Sequence, residues 1–272
     1  MDQRAYTRLG KASDDDGLID AEKVTEVADV VATQVRLAQE VGAEAIRIVA
    51  TAAIREAANR DDVVAEISSA CGVPVEVLSE HDEGRLAFIG AMRTLGHPVD
   101  GDVAVVDVGG GSSEIVLGTL RAGVRNVHSF RIGSGMLTER FLSSDPPSAA
   151  EIRALREHVE EFFEGVELEQ PEQAVAVGGS ATSLRGLVGG ILEYETLERA
   201  VRVLTGDPIA EIANRFELDP RRVRMLPAGV LLLERISDLL GRALQVGKGG
   251  LRDGVILDLL NGDVRTPDRA SG

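Results

Sequence analysis

Ten consecutive residues, Val105-Val106-Asp107-Val108-Gly109-Gly110-Gly111-Ser112-Ser113-Glu114, place an apolar run, an aspartate, three glycines, two hydroxyls and a glutamate in line. Glycine lets a backbone turn tightly and bring its N–H groups against a ligand. Successive N–H groups in such a turn form a concave anion site. The turn Gly109, Gly110, Gly111 and Ser112 is therefore a candidate phosphate loop. Asp107, at the strand end, is suited to a divalent cation that also touches phosphate. A plain glycine hairpin, with Asp107 satisfying turn amides, is the bland alternative. It requires neither the aspartate nor three glycines after a fully apolar strand.

Three more stretches have the same character. Val177-Gly178-Gly179-Ser180-Ala181-Thr182 again reads as strand, glycines, hydroxyls and helix. The N–H groups at a helix start favour phosphate, although close helix–strand packing also calls for glycine. Ser79-Glu80-His81-Asp82-Glu83-Gly84-Arg85-Leu86 gathers charged groups at a strand-to-helix junction. First-turn acids there also simply complement the helix dipole. Arg55, in Thr51-Ala52-Ala53-Ile54-Arg55-Glu56-Ala57-Ala58-Asn59, follows the strand-like Ile46–Ala50. The carboxyl ends of strands are where open α/β sheets bind ligands, and a planar guanidinium suits phosphate. A surface arginine beside Glu56 is the alternative.

The elements that must hold these residues alternate between helix and strand periods. Asp20 is expected to cap a helix to about Val41, with Val24, Val27, Val31, Val35 and Ala38 on one face. A helix over Asp61–Ala70, a strand over Val73–Leu78 and a helix over Asp82–Leu95 follow. Val103–Asp107 is an apolar strand, with Ser113–Gly118 and Val124–Phe130 as antiparallel partners. Ser148 and Glu151 form a capping box for a helix reaching Gly165, and Ala174–Val177 is a strand. Three helices fill Leu192–Leu240, with Asp207-Pro208 and Asp219-Pro220 as starts. A strand over Ala243–Val246 and a helix over Leu251–Leu260 close the pattern. The class is α/β, with the break expected within or just after the Asp82–Leu95 helix.

Composition narrows the function. The 272 residues carry 45 acidic and 29 basic side chains, a net charge of −16. That argues against broad nucleic-acid or anionic-membrane binding. No run approaches the ~18 apolar residues of a membrane span. A single cysteine, Cys71, excludes an internal disulfide and a multi-cysteine metal site, and a cytoplasmic location is expected. The four histidines are scattered without metal-ligand spacing. Arg121, Arg125, Arg131 and Arg140 form a locally basic stretch, either a path for a polyanion or ordinary strand-flanking charge. Arg221, Arg222 and Arg224 read as a solvated helix face.

Taken in order, Ala50–Asn59, Leu78–Gly90, Val105–Ile115 and Gly178–Leu184 resemble the exopolyphosphatase / guanosine pentaphosphate phosphohydrolase family. Gly249–Val255 resembles its closing segment. The resemblance runs from about Arg8 to Leu260. It implies the two-lobed actin-like, sugar-kinase and heat-shock ATPase fold (ribonuclease H-like) with an interlobe cleft, the lobes spanning residues 1–88 and 89–272. It implies hydrolysis of a terminal phosphoanhydride in inorganic polyphosphate or guanosine pentaphosphate, with Mg²⁺, and polyphosphate or guanosine penta- or tetraphosphate as binding partners. The family's water-activating glutamate falls on Glu83 and its phosphate arginine on Arg55. Its phosphate loop falls on Asp107 and Gly109–Ser112, and its further metal-side acid on Glu114. Its second-lobe turn falls on Gly178, Gly179, Ser180 and Thr182. Pairing as a homodimer is also implied.

The chain departs from the family in three places. Met1–Gly10 resembles the third strand of the first lobe, so a first strand and an aspartate–glycine–serine–asparagine loop are expected to be missing. Glu80 stands where the family favours glycine, which is expected to raise the pKa of Glu83 and repel phosphate. Gly84 stands where it favours alanine. A phosphate- or nucleotide-binding module without activity, and an ATP-dependent kinase of the same superfold, are the competing readings.

Overall fold

The computed structural model describes residues 17–97 and 99–260. The segment Met1–Gly10, expected as a strand, lies outside them. The chain separates into two compact units, Met1–Glu83 and Gly84–Gly272. The α/β class is borne out.

In the first unit the order is α1 (Ala21–Glu40), β1 (Ile48–Ala50), α2 (Ala52–Arg55), α3 (Arg60–Cys71) and β2 (Val75–Val77), then the start of α4 (Glu80–Thr94). β1 and β2 pair in parallel, Ile48 opposite Val75 and Ala50 opposite Val77. Both are shorter than their apolar runs suggest. Their core is the α1 stripe, Val24, Val27 and Ala28, against Ala50, Ile54, Val63 and Ile67. α1 starts where expected, but the Asp20 side chain makes no cap hydrogen bond. α3 stops at Gly72, whose φ of 69° is the left-handed conformation glycine adopts without cost. Asn59 ties down the segment before α1: it accepts from Ile19 N (2.9 Å) and donates to Ile19 O (2.8 Å).

The second unit is built on β3 (Val103–Val108), β4 (Ser113–Thr119), β5 (Gly123–Phe130), α5 (Ser134–Phe141), α6 (Ala149–Phe162) and β6 (Gln173–Val177). It continues with α7 (Gly178–Val188), β7 (Ile191–Leu192), α8 (Tyr194–Gly206), α9 (Ile209–Phe216), α10 (Pro220–Leu240), β8 (Leu244–Val246) and α11 (Leu251–Leu260). The sheet order is β5-β4-β3-β6-β8-β7. β3, β6 and β8 run parallel, whereas β4, β5 and β7 pair antiparallel with their neighbours.

Strand alternation sends β3 to two cores. Ala104, Val106 and Val108 face the large cluster that includes residues of α5 to α8 and α10. Val103 and Val105 face Phe88, Ala91 and Met92 of α4 and Leu95 just beyond it. The middle of α10 is buried without a break from Leu226 to Glu234, as a helix stretch packed on all sides must be. Asp219 caps it, accepting from Arg221 N at 2.7 Å. The Ser148–Glu151 box is present, and Glu151 also accepts from Ser143 N (2.7 Å) and Ser144 N (3.0 Å). The Ser144 hydroxyl above all, with the N–H groups of Ser148 and Ser143, holds its carboxyl far below the usual carboxylate range. At α9 the cap differs from expectation. Pro208 is the N-cap residue, and Asp145, 64 residues away, accepts from Ile209 N at 2.8 Å.

α4 is seated by glycines. A Cβ on Gly254 would lie 1.9 Å from Leu86 O, and one on Gly90 would lie 2.0 Å from Gly250 O. α4 and α11 therefore meet backbone to backbone. A Cβ on Gly84 would stand 2.9 Å from Val127 Cγ1 and 3.1 Å from Val116 Cγ2. Glycine at that position relieves crowding against β4 and β5.

Candidate active site

In the first unit, β1 and β2 deliver their carboxyl ends to one guanidinium. Arg55 closes α2, directly after β1. Its Nη1 donates to Leu78 O just past β2 (3.0 Å) and to Glu83 Oε2 (2.7 Å). Glu83 is placed by the start of α4. Ser79 Oγ accepts from Asp82 N (3.0 Å) and donates to Asp82 Oδ2 (2.7 Å), while Glu83 N donates to Ser79 O (2.9 Å). Both side chains are mostly buried, with 14% of Arg55 and 10% of Glu83 exposed. Burial, the largest influence, pushes the Glu83 pKa above its ordinary value. Arg55 pulls it back, while Glu80 and Glu56 push it further up. Glu80 acts in the expected direction, but desolvation outweighs it.

The second unit holds the glycine turns. Gly109 N donates to Ser112 O (2.9 Å), closing the turn between β3 and β4. Its carbonyls are anchored on the start of α5. Gly109 O accepts from Ser134 N (2.9 Å) and Ser134 Oγ (3.0 Å), and Gly110 O accepts from Met136 N (2.9 Å). In a trans peptide the carbonyl and the next N–H point opposite ways. Anchoring these two carbonyls therefore turns the Gly110 and Gly111 N–H groups away from α5, at an exposed tip. Gly133 makes the approach possible, since a Cβ there would sit 2.5 Å from Gly110 C.

The second turn lies beside the first. Gly178 opens α7 with φ 79°, and a Cβ on it would be 2.1 Å from Asp107 Oδ1. Ser180 Oγ donates to Val108 O at 3.4 Å and Thr182 Oγ1 donates to Gly178 O at 2.8 Å. Both hydroxyls are thus tied to the backbone of the turn region, Ser180 to the end of β3 and Thr182 to the start of α7. Asp107 and Glu114 stand directly opposite in the β3–β4 register, so their side chains share one face.

The chain matches the model of the Ppx/GppA phosphatase family over residues 1–262. The chain belongs to the Ppx/GppA phosphatase family. Its relatives include exopolyphosphatase 2 of Mycobacterium tuberculosis, 30% identical over 93% of this chain and 86% of the relative. A crystal structure of the Aquifex aeolicus Ppx/GppA family member superposes with TM-score 0.76 at 29% identity, covering 96% of this chain and 88% of that one. An exopolyphosphatase structure from Cytophaga hutchinsonii reaches TM-score 0.79, covering 93% and 87%. At 22% identity it speaks for the fold alone.

A Ppx/GppA member is expected to use a divalent cation, and the donor set fits one. Mg²⁺ is held by one or two carboxylates while keeping waters and substrate phosphates. Asp107 and Glu114 supply two carboxylates on one face, and the missing Cβ of Gly178 lets Asp107 Oδ1 lie against the start of α7. Among the described residues no group of three or more His, Cys, Asp or Glu is arranged to hold a metal. Among the described residues, no helix is long and apolar enough to cross a membrane.

Two contributors escape a reading of the sequence. Arg222, expected on a solvated face, instead lies over the start of α7, where a Cβ on Gly179 would be 2.5 Å from its Cζ. Ser134 anchors the first turn from a helix with no sequence cap signal. Arg125, in the basic stretch, is engaged by Asp102 (2.9 Å) and Glu169 (2.6 Å), which fits structural charge better than a polyanion path.

With Glu83 as the base that the family resemblance implies, its environment sets a pH dependence. A general base must be ionised, so the rate falls as pH drops through its pKa. Because that pKa is raised, the acidic limb of kcat/KM is expected above the usual glutamate range. Removing Arg55 removes the group that lowers it, so Arg55→Gln is expected to move the limb further up while reducing kcat/KM. Initial rates across pH 4–9 check this; a limb at ordinary carboxylate pH in both proteins would contradict it.

Proposed function

We propose that the chain hydrolyses the terminal phosphoanhydride of inorganic polyphosphate or of guanosine pentaphosphate, with Mg²⁺. The observation that carries this reading is the buried Arg55–Glu83 contact: a carboxylate with a raised pKa held at 2.7 Å on a guanidinium. The relatives' names, exopolyphosphatase 1 and 2, support the substrate class.

In this reading Glu83 takes the proton of the attacking water. Arg55 steadies it and offers the rest of its guanidinium to phosphate oxygens. The Gly110 and Gly111 N–H groups and the backbone at Gly178 and Gly179 grip phosphate through dipoles, where equatorial charge spreads in the transition state. Asp107 and Glu114 hold the cation, which when bound neutralises charge on the phosphate oxygens. All these grips are local, so a net charge of −16 does not oppose a polyanionic substrate. The single cysteine supports a cytoplasmic setting, and pairing as a homodimer remains part of the reading through the family resemblance.

The test is phosphate release from polyphosphate and from guanosine pentaphosphate, with Mg²⁺ and after chelation by EDTA. Release from at least one substrate, lost with EDTA and restored by Mg²⁺, is expected. Binding of either compound without release would assign a binding module instead, and phosphate transfer from ATP to a hydroxyl acceptor would assign a kinase.

A further inference from the structure

Arg55 is crowded by acids on one side. Nη1 is occupied by Leu78 O and Glu83 Oε2. Nη2 is buried, and no hydrogen bond among the described residues reaches it. Glu80 Oε1 stands 4.0 Å from it, beyond hydrogen-bond length. The Glu80 side chain is 57% exposed and sits in the first turn of α4, so it has freedom to swing. Asp82, in the same turn, is instead held by Ser79. We propose that Glu80 is an anionic gate on Arg55: its carboxylate stands where a substrate oxygen would approach Nη2, and substrate affinity is set by the competition between them. This rests on the reading of Arg55 as a phosphate grip. It makes Glu80 a specificity determinant, one that penalises every anion seeking Nη2 without taking part in proton transfer.

The experiment compares wild type, Glu80→Gln and Asp82→Asn, the last removing one nearby negative charge that is directed elsewhere. Calorimetric binding of tripolyphosphate and steady-state KM for polyphosphate are measured at 50 mM and 500 mM salt. Glu80→Gln is expected to lower both Kd and KM by about 2- to 5-fold, the scale of an exposed ion pair. The gain should shrink at high salt, with kcat within about twofold. Asp82→Asn should leave Kd within error. Unchanged or weaker binding by Glu80→Gln, an equal gain in Asp82→Asn, or no tripolyphosphate binding by wild type would each overturn the gate. Failure of the hydrolase reading looks different: no phosphate release from any substrate, with tripolyphosphate binding still responding to Glu80→Gln.

Discussion

Glu83→Gln is expected to lower kcat for phosphate release by about 10²- to 10⁴-fold, the usual contribution of a positioned general base. The substitution is nearly isosteric, so the amide oxygen can still accept from Arg55. The folded state should survive, and a thermal melt checks this. Binding should not be lost. Removing the charge that competes for Arg55 leaves the guanidinium more available to an anion, so KM is expected to stay level or fall. A loss confined to kcat is the signature of an interaction made only in the transition state. If Glu83→Gln retained activity within about twofold, the water would have to be activated by another group and the site reading would collapse.

The second large effect is at Gly178. Alanine there meets two obstacles at once. A φ of 79° costs a residue with a Cβ on the order of 1–3 kcal/mol. The new carbon would also fall 2.1 Å from Asp107 Oδ1, so the carboxylate must turn away from its place. Gly178→Ala is therefore expected to lower the urea unfolding midpoint and to raise the Mg²⁺ concentration for half-maximal activity by about tenfold or more. Gly110→Ala is the comparison. Nothing lies within 4 Å of its Cβ position, so its stability should stay close to wild type. Unchanged Mg²⁺ dependence in Gly178→Ala would remove Asp107 from the cation's ligands.

Much of this arrangement is legible before any coordinates. Val103–Asp107 reads as a strand because its continuous apolar run suits a strand buried on both faces, and the Ser148–Glu151 box follows from spacing alone. The glycine turns are legible because no other residue type explains them. The rest is hidden for physical reasons. α2 has four residues, too few to show a period. α9 takes its cap from Asp145, and no local pattern can show a hydrogen bond across 64 residues. Arg222 looks like one of three arginines on a polar helix face, and only the packing of α10 on α7 brings it over Gly179. Ser79 is a different case. Ser-x-x-Asp before a helix is a visible cap signal, masked only by the run of charges that follows it.

The glycine contact between α4 and α11 has a consequence for how this sequence can drift. In an ordinary core, an added methyl on one side can be offset by a trimmed side chain on the other. Here the atoms that would be struck are main-chain atoms: Leu86 O facing Gly254, and Gly250 O facing Gly90. There is nothing to trim. Suppressor mutations for Gly254→Ala or Gly90→Ala should thus be rare compared with those for ordinary core substitutions. A saturation screen would show these positions as intolerant as the catalytic groups, although they touch no substrate.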